Sequence, residues 1–351
     1  MERDYNLDLI KVLAISATIL IHLFAPGYSA EVKTNTWYFF IVCGAILRYC
    51  VPVFCMASGY IMGDKETNIK DVYKKYLPKF IGALVFAEAL YRLISIWYMY
   101  RGGVEINLAD IGRDLYNGNT KVHLYYLFII AFVYMVMPVI QVFVENEKGE
   151  LEYLLKVWIV TSLSLTLVFM YFELPFLVNF KRYVLDGVYN YVMYALTGAY
   201  IKKYKDKILE ESALKYLIGW ILSYGWLVMM PIMTSSGETN IEAWESVNIF
   251  IFGLSYSVFC ICLKIKIKRE SVKKILSFIS KNVLGIYLYH VIFLDRLRDR
   301  GFMYVNFSGY KQGLVILVEF LEILLISLAL TNIFKQIKLI FQKVIIDLLE
   351  T

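Results

Sequence analysis

The stretch DLIKVLAISATILIHLF, residues 8–24, decides the fold class, because a charged start gives way to an apolar run of membrane-helix length. Within it lie Lys11 and, eleven positions later, His22. Eleven residues of α-helix rise by roughly 16 Å and return to within roughly 20° of the same helix face. Asp8, three residues before Lys11, shares that face. The stretch therefore predicts a first membrane helix that carries a stripe of ionisable groups.

The composition of the whole chain indicates a polytopic membrane protein. Of its 351 residues, 59% are hydrophobic and 19% are charged, and the mean hydropathy is +0.59. Soluble proteins are about 45–50% apolar. Hydropathy predicts a single all-α membrane domain over residues 1–351, with about ten transmembrane helices and no soluble domain between them. The predicted spans are 8–26, 37–62, 79–100, 123–143, 156–174, 187–202, 214–233, 246–264, 274–293 and 313–335.

Lysine and arginine are distributed unevenly between the two sets of loops. The loops on the side of the N-terminus are rich in lysine, whereas the loop TSSGETNIEAWES, residues 234–246, has no basic residue. The positive-inside rule therefore predicts that both termini are cytoplasmic. The net charge of +6 does not indicate nucleic-acid binding, because the basic residues lie in loops between apolar spans.

His22 is the first candidate for chemistry. An ionisable residue inside a membrane span is costly, so it usually faces a cavity or a partner and serves a function. The alternative is structural: His22 forms a hydrogen bond between helices, and Lys11 extends to the cytoplasmic interface. The sequence alone leaves both interpretations open.

The chain has three histidines, and all of them lie at or inside predicted spans. His123 opens the span 123–143, and His290 lies near the end of the span 274–293. The predicted topology places both in the external half, as it does His22, so the three could share one cavity. A triple-histidine metal site is the less favoured alternative, and we expect no bound metal. The sequence contains no GxSxG, HExxH or Walker motif, which leaves hydrolase, zinc-peptidase and ATPase functions without support.

Two further segments carry candidate residues. In VPVFCMASGYIMGDKE, residues 51–66, Ser58 and the adjacent glycine permit either close helix packing or the approach of a ligand. The following loop, KDVYKKYLPKF, residues 70–80, places several lysines beside tyrosines. This pattern is either an ordinary topology signal or a phosphate-binding patch for a nucleotide-containing donor. The candidate donor-binding residues are Lys74, Lys75 and Lys79.

The order of these segments resembles that of the acyltransferase-3 family of membrane proteins, and in particular its surface-polysaccharide O-acyltransferase branch. A basic residue followed eleven positions later by histidine is similar to the family's N-terminal signature, although Lys11 stands where most members have arginine. The other matching segments, in chain order, are VPVFCMASGYIMGDKE (51–66), HLYYLFIIAFVYMVMPVIQ (123–141), DGVYNYVMYALTGAYI (186–201) and ISKNVLGIYLYHVIFLDRLRDRG (279–301).

This resemblance implies transfer of an acetyl group from cytosolic acetyl-CoA to a hydroxyl of a cell-surface glycan or its lipid-linked precursor. It implies a location in the lipid bilayer of a bacterial plasma membrane and no bound cofactor. His22 matches the family's essential histidine, as a general base or as an acyl carrier. Lys11 is the second catalytic candidate, on the donor side of His22, and it keeps the charge of arginine but lacks its planar, bidentate fork. The alternative function is a transporter of a polysaccharide or of a small polar substrate, in which intramembrane histidines would couple transport to protons.

Overall fold

The computed structural model describes residues 3–63, 68–103, 107, 109, 111–113, 121–146, 149–164, 189–299 and 310–349. Within these ranges the chain is helical, and the β-structure there is an isolated bridge between Ser236 and Glu238. The helices are α1 (Tyr5–Phe24), α2 (Asn35–Ala45), α3 (Cys50–Met62), α4 (Ile69–Asp71), α5 (Leu77–Arg101), α6 (Tyr125–Glu145), α7 (Glu150–Trp158), α8 (Tyr189–Lys203), α9 (Lys205–Glu210), α10 (Ala213–Thr234), α11 (Ile249–Lys264), α12 (Glu270–Ser280), α13 (Val283–Asp299) and α14 (Tyr310–Leu349).

Seven helical segments of the described chain are long and apolar enough to cross a membrane, which confirms an all-α polytopic membrane protein. They are Tyr5–Ser29, Asn35–Met62, Ile69–Arg101, Tyr125–Glu145, Ala213–Thr234, Glu242–Lys264 and Lys311–Ile340. Each lies at the place of a predicted span. Many large apolar side chains on these helices are exposed, as expected for surfaces that contact lipid tails.

The remaining three of the ten predicted spans have different outcomes. The span 274–293 is a pair of helices, α12 and α13, bent by 70°, and it makes an eighth crossing if the pair is one span. The span 156–174 extends into residues outside the described ranges. At the span 187–202 the structure describes α8, which has 15 residues.

The bend between α12 and α13 has a local cause. At Lys281 and Asn282 the backbone leaves the helix, and the Asn282 side chain donates a hydrogen bond to the Phe278 carbonyl oxygen at 2.8 Å. Lys335 of α14 donates to the Lys281 carbonyl oxygen at 3.1 Å. The Asn282 side chain and Lys335 thus donate hydrogen bonds to carbonyl groups at the bend. A helix can break inside a bilayer only where its freed backbone groups find such partners.

Helix α1 lies in the middle of the bundle, where it packs against α3, α11, α12, α13 and α14. Ile10, Ala14 and Ile15 on this helix are fully buried. Because α1 is surrounded by protein, its polar stripe faces the interior of the bundle and not lipid. We call the end of the bundle that holds the first turn of α1 the proximal end, and the end that holds its last turn the distal end.

Helices α3 and α8 cross at two glycines. A Cβ atom added to Gly59 would overlap the carbonyl oxygen of Ala195, and one added to Gly198 would overlap that of Met56. Small residues permit this close approach of two backbones. In lipid the hydrophobic effect does not drive helices together, so close van der Waals packing stabilises the crossing instead. The sequence of the segment 51–66 permits either close helix packing or the approach of a ligand. At Gly59 the structure shows helix packing.

Candidate active site

The structure brings the three histidines together at the distal end. His22 lies on the last turn of α1, His123 on a short 3₁₀ turn (Val122–Leu124) before α6, and His290 in the middle of α13. The ring centroid of His22 lies 6.1 Å from that of His123 and 5.3 Å from that of His290, and those of His123 and His290 are 5.3 Å apart. His123 and His290 are buried, with 4% and 1% of their surface exposed, whereas His22 is partly accessible.

Hydrogen bonds fix the proton positions of the two buried rings. Nδ1 of His290 lies 2.7 Å from the Tyr287 carbonyl oxygen, so Nδ1 carries the proton. Nε2 of His290 is therefore a lone-pair acceptor, and it has no hydrogen-bond partner among the described residues. The Tyr91 hydroxyl donates to the Leu288 carbonyl oxygen at 3.0 Å and accepts from Nε2 of His123 at 3.2 Å. Each buried ring thus donates one hydrogen bond, His290 through Nδ1 and His123 through Nε2.

His22 and His123 open into a cavity of about 490 Å³, which we call the inner cavity. It is lined by Thr18, Ile21, His22, Arg48, Cys50, Val51, Phe54, His123, Tyr125, Tyr126, Tyr191, Trp244, Glu245, Ser246, Val247 and Tyr287. Most of these side chains are apolar or aromatic. The inner cavity thus combines a largely apolar wall with two histidines, the composition typical of a small-molecule site.

Arg48 is a charged residue of this wall that sequence reasoning missed, as is Glu245. Its guanidinium carbon lies 4.1 Å from the ring centre of Trp244 and 5.3 Å from that of Tyr28, in cation–π contact. Nε and Nη2 are buried without a hydrogen-bond partner among the described residues. A signal was available, since Arg48 is the one charged residue within the predicted span 37–62.

The distal end of α1 is held by α13. Arg298 donates a hydrogen bond to the His22 carbonyl oxygen at 3.0 Å. Asp295, one turn earlier, pairs with Lys121 at 2.8 Å and lies 3.7 Å from Arg298. These contacts connect the backbone of His22 to the segment that carries His123.

A narrower space of about 190 Å³, which we call the passage, lies on the proximal side of the inner cavity. Lys11, Ser58 and Lys79 line it, and it shares Phe54, Tyr126 and Tyr287 with the inner cavity. The Ser58 hydroxyl donates to the Phe54 carbonyl oxygen of its own helix at 3.1 Å. Ser58 thus lines the passage with its hydroxyl already satisfied by the helix.

A larger space, about 1400 Å³, opens at the proximal end, and we call it the vestibule. It shares Lys11, Ile61 and Lys281 with the passage. Its basic side chains are Arg3, Lys11, Lys202, Lys205, Lys264, Lys266 and Lys281. Of these, the sequence singled out Lys11 as a candidate for chemistry and treated Lys202, Lys205, Lys264 and Lys266 as topology signals, because no local pattern shows that loops far apart in the chain meet at one opening.

The acidic groups of the vestibule are largely paired. Asp8 forms a two-point ion pair with Arg3, at 2.6 Å and 3.0 Å. Lys205 lies 3.2 Å from Asp4. Burial raises the pKa of Asp4, but the Leu7 amide, the charge of Lys205 and hydrogen bonds from Lys205 and Tyr60 outweigh burial and hold that pKa below its ordinary value. The vestibule therefore presents a cationic surface.

The three predicted donor-binding lysines have different positions. Lys79 lines the passage. Lys74 and Lys75 lie on an exposed π-helical turn (Val72–Tyr76), and neither lines the vestibule, the passage or the inner cavity. Among the described residues, no group of three or more His, Cys, Asp or Glu side chains is arranged to hold a metal ion.

The fold and the site define the class: an integral membrane protein with a histidine centre enclosed in its helix bundle. The family described as an acyltransferase domain matches residues 4–333, so the chain belongs to the acyltransferase-3 family of membrane acyltransferases. This match covers nearly the whole chain. Comparisons with curated proteins and with solved structures gave no match.

Proposed function

We propose that this protein is a membrane O-acetyltransferase of the surface-polysaccharide branch, which moves acetyl groups from acetyl-CoA to a hydroxyl of a cell-surface glycan or its lipid-linked precursor. The observation that carries the proposal is the series of three spaces with shared walls. The vestibule shares Lys11 with the passage, and the passage shares Phe54 and Tyr126 with the inner cavity. Together these adjoining spaces lead from a cationic opening towards His22.

The donor fits the proximal half of this series. Coenzyme A carries phosphates at one end and a thioester on a long flexible arm at the other. The basic side chains of the vestibule suit the phosphates, because ammonium and guanidinium groups form charge-assisted hydrogen bonds with phosphate oxygens. The arm then follows the passage along α1, over the roughly 16 Å of helix that separate Lys11 from His22.

His22 acts as the base in the inner cavity. Its imidazole takes the proton of the acceptor hydroxyl while the hydroxyl oxygen attacks the thioester carbonyl carbon. The carbon–sulfur bond then breaks, the proton passes from His22 to the departing thiolate, and the new ester remains on the sugar. Of the three histidines His22 is the partly accessible one, which suits it for contact with both substrates.

The proposed orientation follows from the same assignment. The proximal end faces the cytoplasm, where acetyl-CoA is made, and the distal end faces outward in the bacterial plasma membrane. The lysines of the vestibule are then cytoplasmic, in agreement with the positive-inside rule. Both termini are cytoplasmic in this arrangement.

The experiment is turnover of acetyl-CoA, labelled in its acetyl group, by purified protein in vesicles with a lipid-linked glycan fraction. We expect free coenzyme A and acetylated glycan in equal amounts. An acyl-carrier mechanism would instead leave label on the protein when acceptor is omitted. Movement of glycan across the vesicle without any acetylated product would contradict the proposal and indicate a transporter.

A further inference from the structure

A fourth space lies on the distal side of Arg48, outside the inner cavity. This outer cleft has a volume of about 680 Å³ and is formed mainly by the loop 234–246 between α10 and α11. It shares Arg48, Trp244 and Glu245 with the inner cavity. Anything that reaches His22 from the distal end through this cleft must pass these three side chains.

The loop that forms the outer cleft is held by buried side chains. The Trp37 indole donates to the Thr239 hydroxyl at 2.8 Å, and that hydroxyl donates to the Tyr28 carbonyl oxygen at 2.6 Å. The Trp244 indole donates to the Leu227 carbonyl oxygen at 2.8 Å. Trp37 and Trp244 are 0% and 5% exposed. A loop anchored in this way presents a fixed surface, which lowers the entropy cost of binding a ligand.

Hydrogen bonds within the loop add to this order. The Asn240 amide donates to the Ser235 hydroxyl at 2.9 Å, and the Asn248 side chain donates to the Ala243 carbonyl oxygen at 3.1 Å. Gly237 has a φ of 79°, in the left-handed region that favours glycine. The turn and its anchors order the backbone from which the polar side chains of the cleft extend.

The polar surface of the outer cleft is mainly acidic. Its lining includes the carboxylates of Glu238, Glu242 and Glu245, all on exposed residues, together with hydroxyl and amide side chains. Arg48 is the one basic residue of this lining. Carboxylates accept hydrogen bonds from sugar hydroxyls and attract ammonium groups, whereas they repel carboxylate or phosphate groups.

We propose that the outer cleft binds the sugar that receives the acetyl group, and that it selects a neutral or amino sugar over one that carries an acidic group. This inference rests on the proposed function, since it names the acceptor class for the same reaction. Arg48, stacked on Trp244 at 4.1 Å, forms the wall between the bound sugar and His22. The hydroxyl that reacts extends past this wall into the inner cavity.

Direct binding of sugars, without donor, tests this inference on the full-length protein. The probes are the trisaccharide of N-acetylglucosamine, its de-N-acetylated amino form and trigalacturonic acid, titrated by calorimetry at low salt. We expect the neutral and amino forms to bind at least roughly fivefold more tightly than the acidic form, because exposed charges contribute modestly per pair. Raising the salt concentration should reduce the difference.

Variants locate the selectivity. The double variant Glu238→Gln, Glu242→Gln keeps the size and polarity of both exposed side chains, and it should remove most of the discrimination against the acidic sugar. The matched control is Glu210→Gln, an exposed glutamate at the end of α9, next to the vestibule residues Leu209 and Glu211. It should leave all three affinities unchanged.

The inference is overturned if the acidic sugar binds as tightly as the neutral one, if none of the sugars binds, or if the double variant behaves like wild type. These outcomes differ from failure of the proposed function. Sugar binding with wild-type selectivity but without acetyl transfer would contradict the acetyltransferase and leave the cleft as a sugar site. Acetyl transfer without the expected selectivity would contradict only the inference.

Discussion

The imidazole rings of His22 and His290 lie with their centroids 5.3 Å apart, although one comes from the first helix and the other from α13. The Nδ1 proton of His290 is committed to the Tyr287 carbonyl oxygen at 2.7 Å. Its Nε2 lone pair is buried without a partner among the described residues. This Nε2 atom is free to accept a hydrogen bond from the neighbouring His22 ring, which would position the base of the proposed reaction.

The first prediction concerns this positioning role. His290→Leu replaces the ring with an apolar side chain of similar size and removes the hydrogen-bond acceptor. We therefore expect kcat to fall by about tenfold or more, because the His22 ring loses its orientation. The KM for acetyl-CoA should not change. His290→Gln, whose amide oxygen accepts a hydrogen bond, should retain more activity than His290→Leu. Equal kcat in wild type and His290→Leu would show that His290 does not act on His22.

The second prediction tests where the donor binds. The double variant Lys266→Ala, Lys281→Ala removes two exposed charges from the vestibule, and it should raise the KM for acetyl-CoA by about tenfold with little change in kcat. The same change at Lys74 and Lys75 should have a smaller effect, because these lysines line none of the three connected spaces.

The control for this measurement is Lys268→Ala, an exposed lysine of the same loop as Lys266 that does not line the vestibule. It should leave KM unchanged. A larger rise in KM for the Lys74 and Lys75 variant than for the vestibule variant would place the donor phosphates on the basic loop instead.

The third prediction tests the passage. Ser58→Phe adds an aromatic ring to a space of about 190 Å³, so it should lower turnover strongly while the vestibule still binds coenzyme A. Ser58→Ala should be close to wild type, because the hydroxyl donates to a carbonyl of its own helix at 3.1 Å. The measurements are acetyl transfer and coenzyme A binding on both variants. Full turnover in Ser58→Phe would mean that the thioester reaches His22 by another route.

The fourth prediction concerns the crossing of α3 and α8. Gly59→Ala forces a Cβ atom into the Ala195 carbonyl oxygen, so we expect a loss of about 1–3 kcal/mol of stability, as for other overpacked sites. Gly225→Ala, inside α10, is the matched control, since an added Cβ there has nothing within 4 Å. Its stability should stay equal or rise slightly through helix propensity. Thermal unfolding in detergent compares the two, and equal midpoints would contradict the close crossing.

Hydropathy and helix periodicity account for much of what the sequence predicted. The apolar runs indicated the membrane class, and the spacing of Lys11 and His22 placed both on one side of α1, where they line adjoining spaces. Such features depend on residues close together in the chain. An ionisable side chain within an apolar run is unusual enough to identify His22 as a candidate, and the same signal applies to Arg48.

Other features depend on contacts between distant segments, which a single sequence does not encode in any local pattern. The ion pair of Asp8 with Arg3 was not predicted, because Arg3 precedes α1 and its side chain reaches back to the first turn of the helix. Lysines from α8, α9 and the loop after α11 meet at one vestibule. At the bend, Lys335 of α14 donates a hydrogen bond to the Lys281 carbonyl oxygen, a contact between distant segments, so hydropathy predicted one continuous span there.

The central claim is that His22 is the proton-transferring residue of an acetyltransferase. The most direct test is acetyl transfer from labelled acetyl-CoA to the glycan fraction by wild type, His22→Gln and His22→Ala at matched expression and matched thermal stability. We predict that both variants lose activity by roughly a hundredfold or more, because glutamine forms hydrogen bonds but does not take up a proton. Wild-type activity in His22→Gln would contradict the claim and assign the chemistry to another residue of the inner cavity.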